Sequence, residues 1–93
     1  MNIGKALKLC RSAKDLSLEV VAERAEISVS YLSRIENQQR EPTLALVSKL
    51  AGALTVPMPV LVFLASDPDE LSGLDERSER QFSNLALELI RRS

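Results

Sequence analysis

Residues 16–44 read LSLEVVAERAEISVSYLSRIENQQREPTL, and the patterning of this stretch decides the fold. Leu18, Val21, Ala22 and Ala25 recur at helical spacing and predict a short helix over 18–25. Ser17 stands where an N-cap belongs, and Glu19 lies near the positive end of the helix dipole. Glu26-Ile27-Ser28 is the turn. Ser28 also caps a second short helix over 29–37, with Leu32 and Ile35 as its apolar positions and Val29 or Tyr31 flanking them. The polar run Asn37-Gln38-Gln39-Arg40-Glu41 is a loop ended by Pro42. Thr43 then caps a further helix that turns Leu44, Val47, Leu50, Ala51 and Leu54 inward. The helix over 29–37 is therefore left on the surface, with small polar and basic side chains pointing out.

Working outward, Ile3, Ala6, Leu7 and Cys10 predict a first helix over 3–14, and Pro57 opens a fifth over 58–65, in keeping with proline's tolerance in a first turn. The texture changes after Ser66. Asp67-Pro68-Asp69-Glu70 and Ser72-Gly73 read as a hinge or loop. A last helix follows from Asp75 to about residue 92, with Leu74, Phe82, Leu85, Ala86, Leu89 and Ile90 as apolar positions and Arg91-Arg92 at its negative end. The expected architecture is all-α: a five-helix domain over 1–66, then a hinge and C-terminal helix over 67–93. A chain of 93 residues is enough for one core, and aromatic residues make up only 3% of it, so that core is built from Leu, Val, Ile and Ala.

Composition removes several function classes. Histidine, the commonest general base and metal ligand, is absent. The single cysteine, Cys10, excludes an internal disulfide and a thiolate metal cluster, and its helical spacing reads as a small buried hydrophobe. No nucleophile–base pair, glycine-rich phosphate loop or metal-ligand cluster is evident. These absences predict a protein that is not an enzyme and uses no cofactor and no metal. The N-terminus reads as helix rather than signal peptide. The most apolar stretch, ALTVPMPVLVFLA, is 13 residues long with two prolines, whereas a membrane span needs about 20; the expected compartment is the cytoplasm. Net charge is −1, but residues 1–50 carry eight basic and six acidic side chains while residues 51–93 carry four and seven. The positive half has the right sign for a polyanionic partner.

Residues 3–65 resemble the Cro and lambda-repressor family of helix-turn-helix domains. The resemblance rests on the joint spacing of Ala22 inside the second helix, Ile27 in the turn, Ser28 as cap, the SRIEN segment from Ser33 to Asn37, and Pro42-Thr43-Leu44. In that fold the third helix fits the major groove of double-stranded DNA. The resemblance implies that Val29, Ser30, Ser33 and Arg34 face base edges, with Arg34 suited to a bidentate contact with guanine. It implies phosphate contacts from Ser17, Ser28, Tyr31, Asn37, Gln38, Gln39 and Arg40, with Lys14 as a further candidate. Each has an alternative. Arg34 is otherwise a solvated charge or a partner of Glu23 or Glu36, Tyr31 packs half-buried against the second helix, and Gln38-Gln39-Arg40 is an inert loop. Family members commonly join an Arg on the first helix to a Glu at the end of the third; Arg11 and Glu36 match those positions, and the resemblance assigns them to architecture. The chain departs from the family in carrying Glu26 and Gln38 where glycine is common, and Leu18 where a polar residue is often found.

The fifth helix runs Val60-Leu61-Val62-Phe63-Leu64 without a polar interruption. A helix apolar on nearly all sides must be covered on nearly all sides. The last helix or a second subunit can supply that cover, and the expectation is both: a homodimer with Val60, Val62, Phe63, Phe82, Leu85 and Leu89 at the interface. Such a dimer is expected to bind an inverted-repeat operator with half-sites about 34 Å apart. The leading expectation is a sequence-specific transcriptional repressor. The alternative is an antitoxin-type protein that holds a partner protein through its acidic C-terminal segment.

Overall fold

Among the described residues, four of the five complete helices begin at a side chain that satisfies an orphan backbone N–H. Asn2 Oδ1 accepts from Lys5 N at 2.9 Å, Ser17 Oγ from Val20 N at 3.1 Å, Ser28 Oγ from Tyr31 N at 3.0 Å and Thr43 Oγ1 from Leu46 N at 3.2 Å. Each such cap is worth about 1 kcal/mol. The structure, a computed structural model, describes residues 1–67 together with Leu87, Ile90 and Arg91. The caps start α1 (Ile3–Ala13), α2 (Leu18–Ala25), α3 (Val29–Glu36) and α4 (Leu44–Leu54); α5 (Met58–Ala65) follows Pro57, with Pro59 in its first turn. No strand occurs among the described residues.

The helix ends share one device. After α1, α2, α3 and α4, a residue with positive φ turns the chain out: Asp15 at 54°, Glu26 at 60°, Gln38 at 63° and Thr55 at 54°. At each, the next residue's N–H reaches back five positions: Leu16 to Arg11, Ile27 to Ala22, Gln39 to Arg34 and Val56 to Ala51. This is the Schellman arrangement, which glycine usually fills. Here no glycine does, and each non-glycine residue in the left-handed region costs roughly 1 kcal/mol. Glu26→Gly should therefore raise stability by about 0.5–1 kcal/mol in urea titrations. A loss of stability would mean that the Glu26 side chain contributes more than its backbone strain.

α1 packs most extensively on α5, and α2 on α4, while α3 lies across α1 and α2. Leu7, Cys10, Val21, Leu32, Ile35, Leu50, Leu54 and Leu61 form the fully buried centre. Ala22 is 1% exposed where α2 meets its neighbours, and Ile27 packs against the core from the turn. Burial pushes the Cys10 thiol up to about 11, against a small opposing pull from Lys14, so it is a neutral core group.

Three details differ from the sequence expectation. α1 and α3 each end one residue earlier, because Lys14 and Asn37 are C-cap residues. Leu44, expected inward, is 75% exposed: it is the first residue of α4, and the face that enters the core begins with Val47. On α5 only Leu61 and Ala65 are fully buried, while Met58, Val60, Val62, Phe63 and Leu64 are half-buried. Of the last predicted helix, Leu87, Ile90 and Arg91 are helical, and Ile90 is 0% exposed and belongs to the core. Phe82, Leu85 and Leu89 lie outside the described residues. No single described helix is long and apolar enough to cross a membrane.

Candidate nucleic-acid interface

α3 buries Leu32 and Ile35 and leaves the opposite face outward. Val29, Ser30 and Arg34 are exposed on that face; Ser33 is half-buried, and its hydroxyl accepts a hydrogen bond from Asn37 Nδ2 at 3.4 Å. The four positions are spaced so that they share one surface of the helix. The Arg34 side chain makes no hydrogen bond or ion pair with another described residue. The pairing with Glu36 that would have occupied it is pre-empted, because both Glu36 oxygens are engaged elsewhere.

That engagement is the brace of the site. Arg11 Nε donates to Glu36 Oε2 at 2.8 Å and Arg11 Nη2 to Glu36 Oε1 at 2.9 Å, a parallel two-bond fork. Arg11 Nη1 donates to the Leu16 carbonyl at 3.0 Å. One guanidinium thus ties α1, the loop before α2 and the last turn of α3 together. The side chains are 16% and 5% exposed. The hydrogen bond to Glu36 raises the Arg11 pKa further above its ordinary value, outweighing the opposite effect of burial.

Gly4 is a positioning residue that sequence reasoning missed. It is buried on α1, and a Cβ there would lie 2.2 Å from the Ile35 carbonyl oxygen and 3.0 Å from that of Glu36. Only a residue without a side chain lets α1 pass so close to the end of α3. The one available signal was a glycine inside a helical pattern, which usually has a packing reason.

Around α3 lie the residues expected at phosphates. Ser17 and Ser28 are exposed, and each uses its oxygen as an N-cap acceptor, which leaves the hydroxyl proton free to donate outward. Asn37, Gln38, Gln39 and Arg40 are exposed in the loop after α3, held there by the Gln38 turn. Tyr31 is half-buried, and the Arg40 guanidinium carbon sits 5.6 Å from its ring centroid. Lys14 does not join this group: its ammonium binds the Thr55 carbonyl at 3.3 Å and the Thr55 hydroxyl, closing the end of α4. Burial lowers its pKa. Arg24 likewise donates to the Ala53 carbonyl at 3.2 Å. Two cations of the positive half are therefore committed to α4, and those left at the α3 surface are Arg34 and Arg40.

α3 is thus a short capped helix with an exposed polar and basic face, entered through a three-residue turn and braced from behind. Residues 7–61 match the family model described as helix-turn-helix. The chain belongs to the Cro/lambda-repressor-type helix-turn-helix family. It is similar to the transcriptional regulator ClgR of Mycobacterium tuberculosis, with 32% identity over 78 residues, 84% of this chain and 67% of that protein. It is also similar to the transcriptional regulator SinR of Bacillus subtilis, with 33% identity over 79 residues, 84% of this chain and 71% of the relative. The immunity repressor of Bacillus phage phi105 is 34% identical over 62 residues, 67% of this chain but only 43% of the phage protein. Family membership makes the chain a DNA-binding regulator of transcription. Among the described residues, no three His, Cys, Asp or Glu side chains gather as a metal site.

Proposed function

We propose that this helix-turn-helix regulator is a cytoplasmic repressor that binds an inverted-repeat operator as a homodimer. The observation that carries the reading is the exposed face of α3 around Arg34, whose side chain pairs with no other described residue, braced at its base by Arg11 and Glu36. Val29, Ser30, Ser33 and Arg34 read base edges. Ser17, Ser28, Tyr31, Asn37, Gln38, Gln39 and Arg40 set register on the phosphates. The repressor sense is supported by the similarity to the phage immunity repressor.

Dimerisation is supported by the half-buried apolar side chains of α5. Val60 and Val62 retain exposed area on a helix with no polar face, and a second copy covers it. One short helix contacts too few base pairs for a useful specificity ratio, and two-fold symmetry doubles the readout.

Footprinting on DNA upstream of the chain's own coding sequence tests the reading; no protected site at low salt with folded protein present would overturn it. Arg34→Ala should lose about 1–3 kcal/mol on the operator and little on mixed-sequence DNA. Arg40→Ala should weaken both alike and lower the salt slope by about 0.9. Equal effects of the two variants on both kinds of DNA would reverse the assignment. Sedimentation should show a dimer, weakened by deleting residues 74–93.

A further inference from the structure

We infer that Tyr31 acts on DNA through Arg40, its ring holding the guanidinium in place as a preformed phosphate clamp. The inference rests on the DNA-facing reading of α3 and goes beyond it by assigning the two residues one joint role in place of two independent contacts.

Arg40 is exposed in the loop after α3 and makes no hydrogen bond or ion pair with another described residue. An arginine so placed normally loses much rotamer freedom when a phosphate captures it. Here its guanidinium carbon lies 5.6 Å from the Tyr31 ring centroid, within the range of a cation–π contact. The ring is itself fixed. Tyr31 is half-buried against the core, in the first turn of α3, and its backbone N–H is tied to Ser28 Oγ at 3.0 Å. The loop that carries Arg40 is also fixed, since Gln38 sits at φ 63° and Gln39 N donates to the Arg34 carbonyl at 2.8 Å. The left-handed turn at Gln38 leads the chain out of α3, and the Arg40 side chain meets the ring of a residue nine positions earlier. The Arg40 guanidinium is therefore held at the ring of a residue of α3 itself, on a loop fixed to the end of that helix. A planar cation over an aromatic face keeps its edge donors free for phosphate oxygens.

Phosphate contacts are independent of sequence, so a short mixed-sequence DNA duplex at low salt is a sufficient probe. Affinities are measured for the unmodified protein, Tyr31→Phe, Tyr31→Leu, Arg40→Ala and the Tyr31→Leu/Arg40→Ala double variant, with thermal melts to confirm folding. Tyr31→Phe keeps the ring and should lose much less affinity than Tyr31→Leu. Tyr31→Leu keeps apolar bulk but not the π face and should bind about two- to fivefold more weakly. In the Arg40→Ala background the same change should have no further effect. A loss in Tyr31→Phe equal to that in Tyr31→Leu would overturn the inference in favour of a direct hydroxyl–phosphate contact. A loss from Tyr31→Leu that persists undiminished without Arg40 would overturn it in favour of a packing role for the ring. Absence of any binding by the folded unmodified protein would remove the DNA reading itself, a different failure that the control isolates.

Discussion

Arg11→Met should destabilise the fold by about 3–5 kcal/mol, the range for stranding one member of a buried ion pair. The stranded group is Glu36, whose side chain is 5% exposed and whose two oxygens receive Arg11 Nε and Nη2 at 2.8 and 2.9 Å. Methionine preserves most of the arginine stem's packing, so the loss reports the charge and the three hydrogen bonds rather than a cavity. In a domain of this size the melting temperature should fall on the order of 15–25 °C. The pair's own net worth is a separate quantity. Desolvation of both ions offsets most of their attraction, so Arg11→Met/Glu36→Leu should recover most of the stability. The two stabilised proteins should nevertheless differ on DNA. The fork, with the Leu16 carbonyl as its third acceptor, fixes the last turn of α3 against α1 at a defined angle. An apolar contact fills the space without fixing that angle. Urea titrations should thus show a repaired double variant whose affinity for its operator stays reduced. A double variant as unstable as Arg11→Met alone would show that the pair, not its disruption, sustains the fold.

Helix starts were legible because a cap has a side-chain signature. Ser17, Ser28 and Thr43 stand where the backbone needs an acceptor, and each accepts the N–H three residues on. The core was legible through helical spacing at Leu7, Cys10, Val21, Leu32 and Leu50. Geometry that depends on chain segments far apart was not. Nothing local ties Lys14 to Thr55, 41 positions away, and so a committed cation looked available for phosphate. Leu44 fits an apolar pattern by identity, yet its place at the first turn of α4 points it outward. The stacking of Arg40 on Tyr31 depends on the left-handed turn at Gln38, which a residue other than glycine does not announce. Arg11 and Glu36 were reached through family resemblance; across 25 positions no periodicity links them. The candidate site was thus readable as a list of residues on a helix face. The close approach at Gly4 and the division of the site's cations came only with the packing.

Gly4→Ala should damage both stability and DNA binding, and Gly52→Ala should act on stability with the opposite sign. Both glycines are helical, Gly4 in α1 and Gly52 in α4. In an open helix the substitution is favourable by roughly 0.5–1 kcal/mol, because glycine loses the most backbone freedom on folding. Gly52 meets that condition: a Cβ there has nothing within 4 Å. Gly52→Ala should therefore stabilise by about that amount and leave DNA binding unchanged. At Gly4 the same methyl would lie 2.2 Å from the Ile35 carbonyl oxygen, 3.0 Å from the Glu36 oxygen and 3.2 Å from the Ile35 carbonyl carbon. All three are backbone atoms, so no rotamer change relieves the clash. α1 and α3 must move apart, and overpacking of this kind typically costs about 1–3 kcal/mol even after local adjustment. The displacement falls on the turn of α3 that carries Glu36, so it also strains the Arg11 fork and tilts the face bearing Arg34. Gly4→Ala should consequently lose operator affinity under conditions where melts show it still folded, with the loss exceeding its unfolded fraction. An affinity loss no larger than the unfolded fraction would mean that α1 absorbs the methyl without passing the shift to α3. The close approach at Gly4 would then serve stability alone.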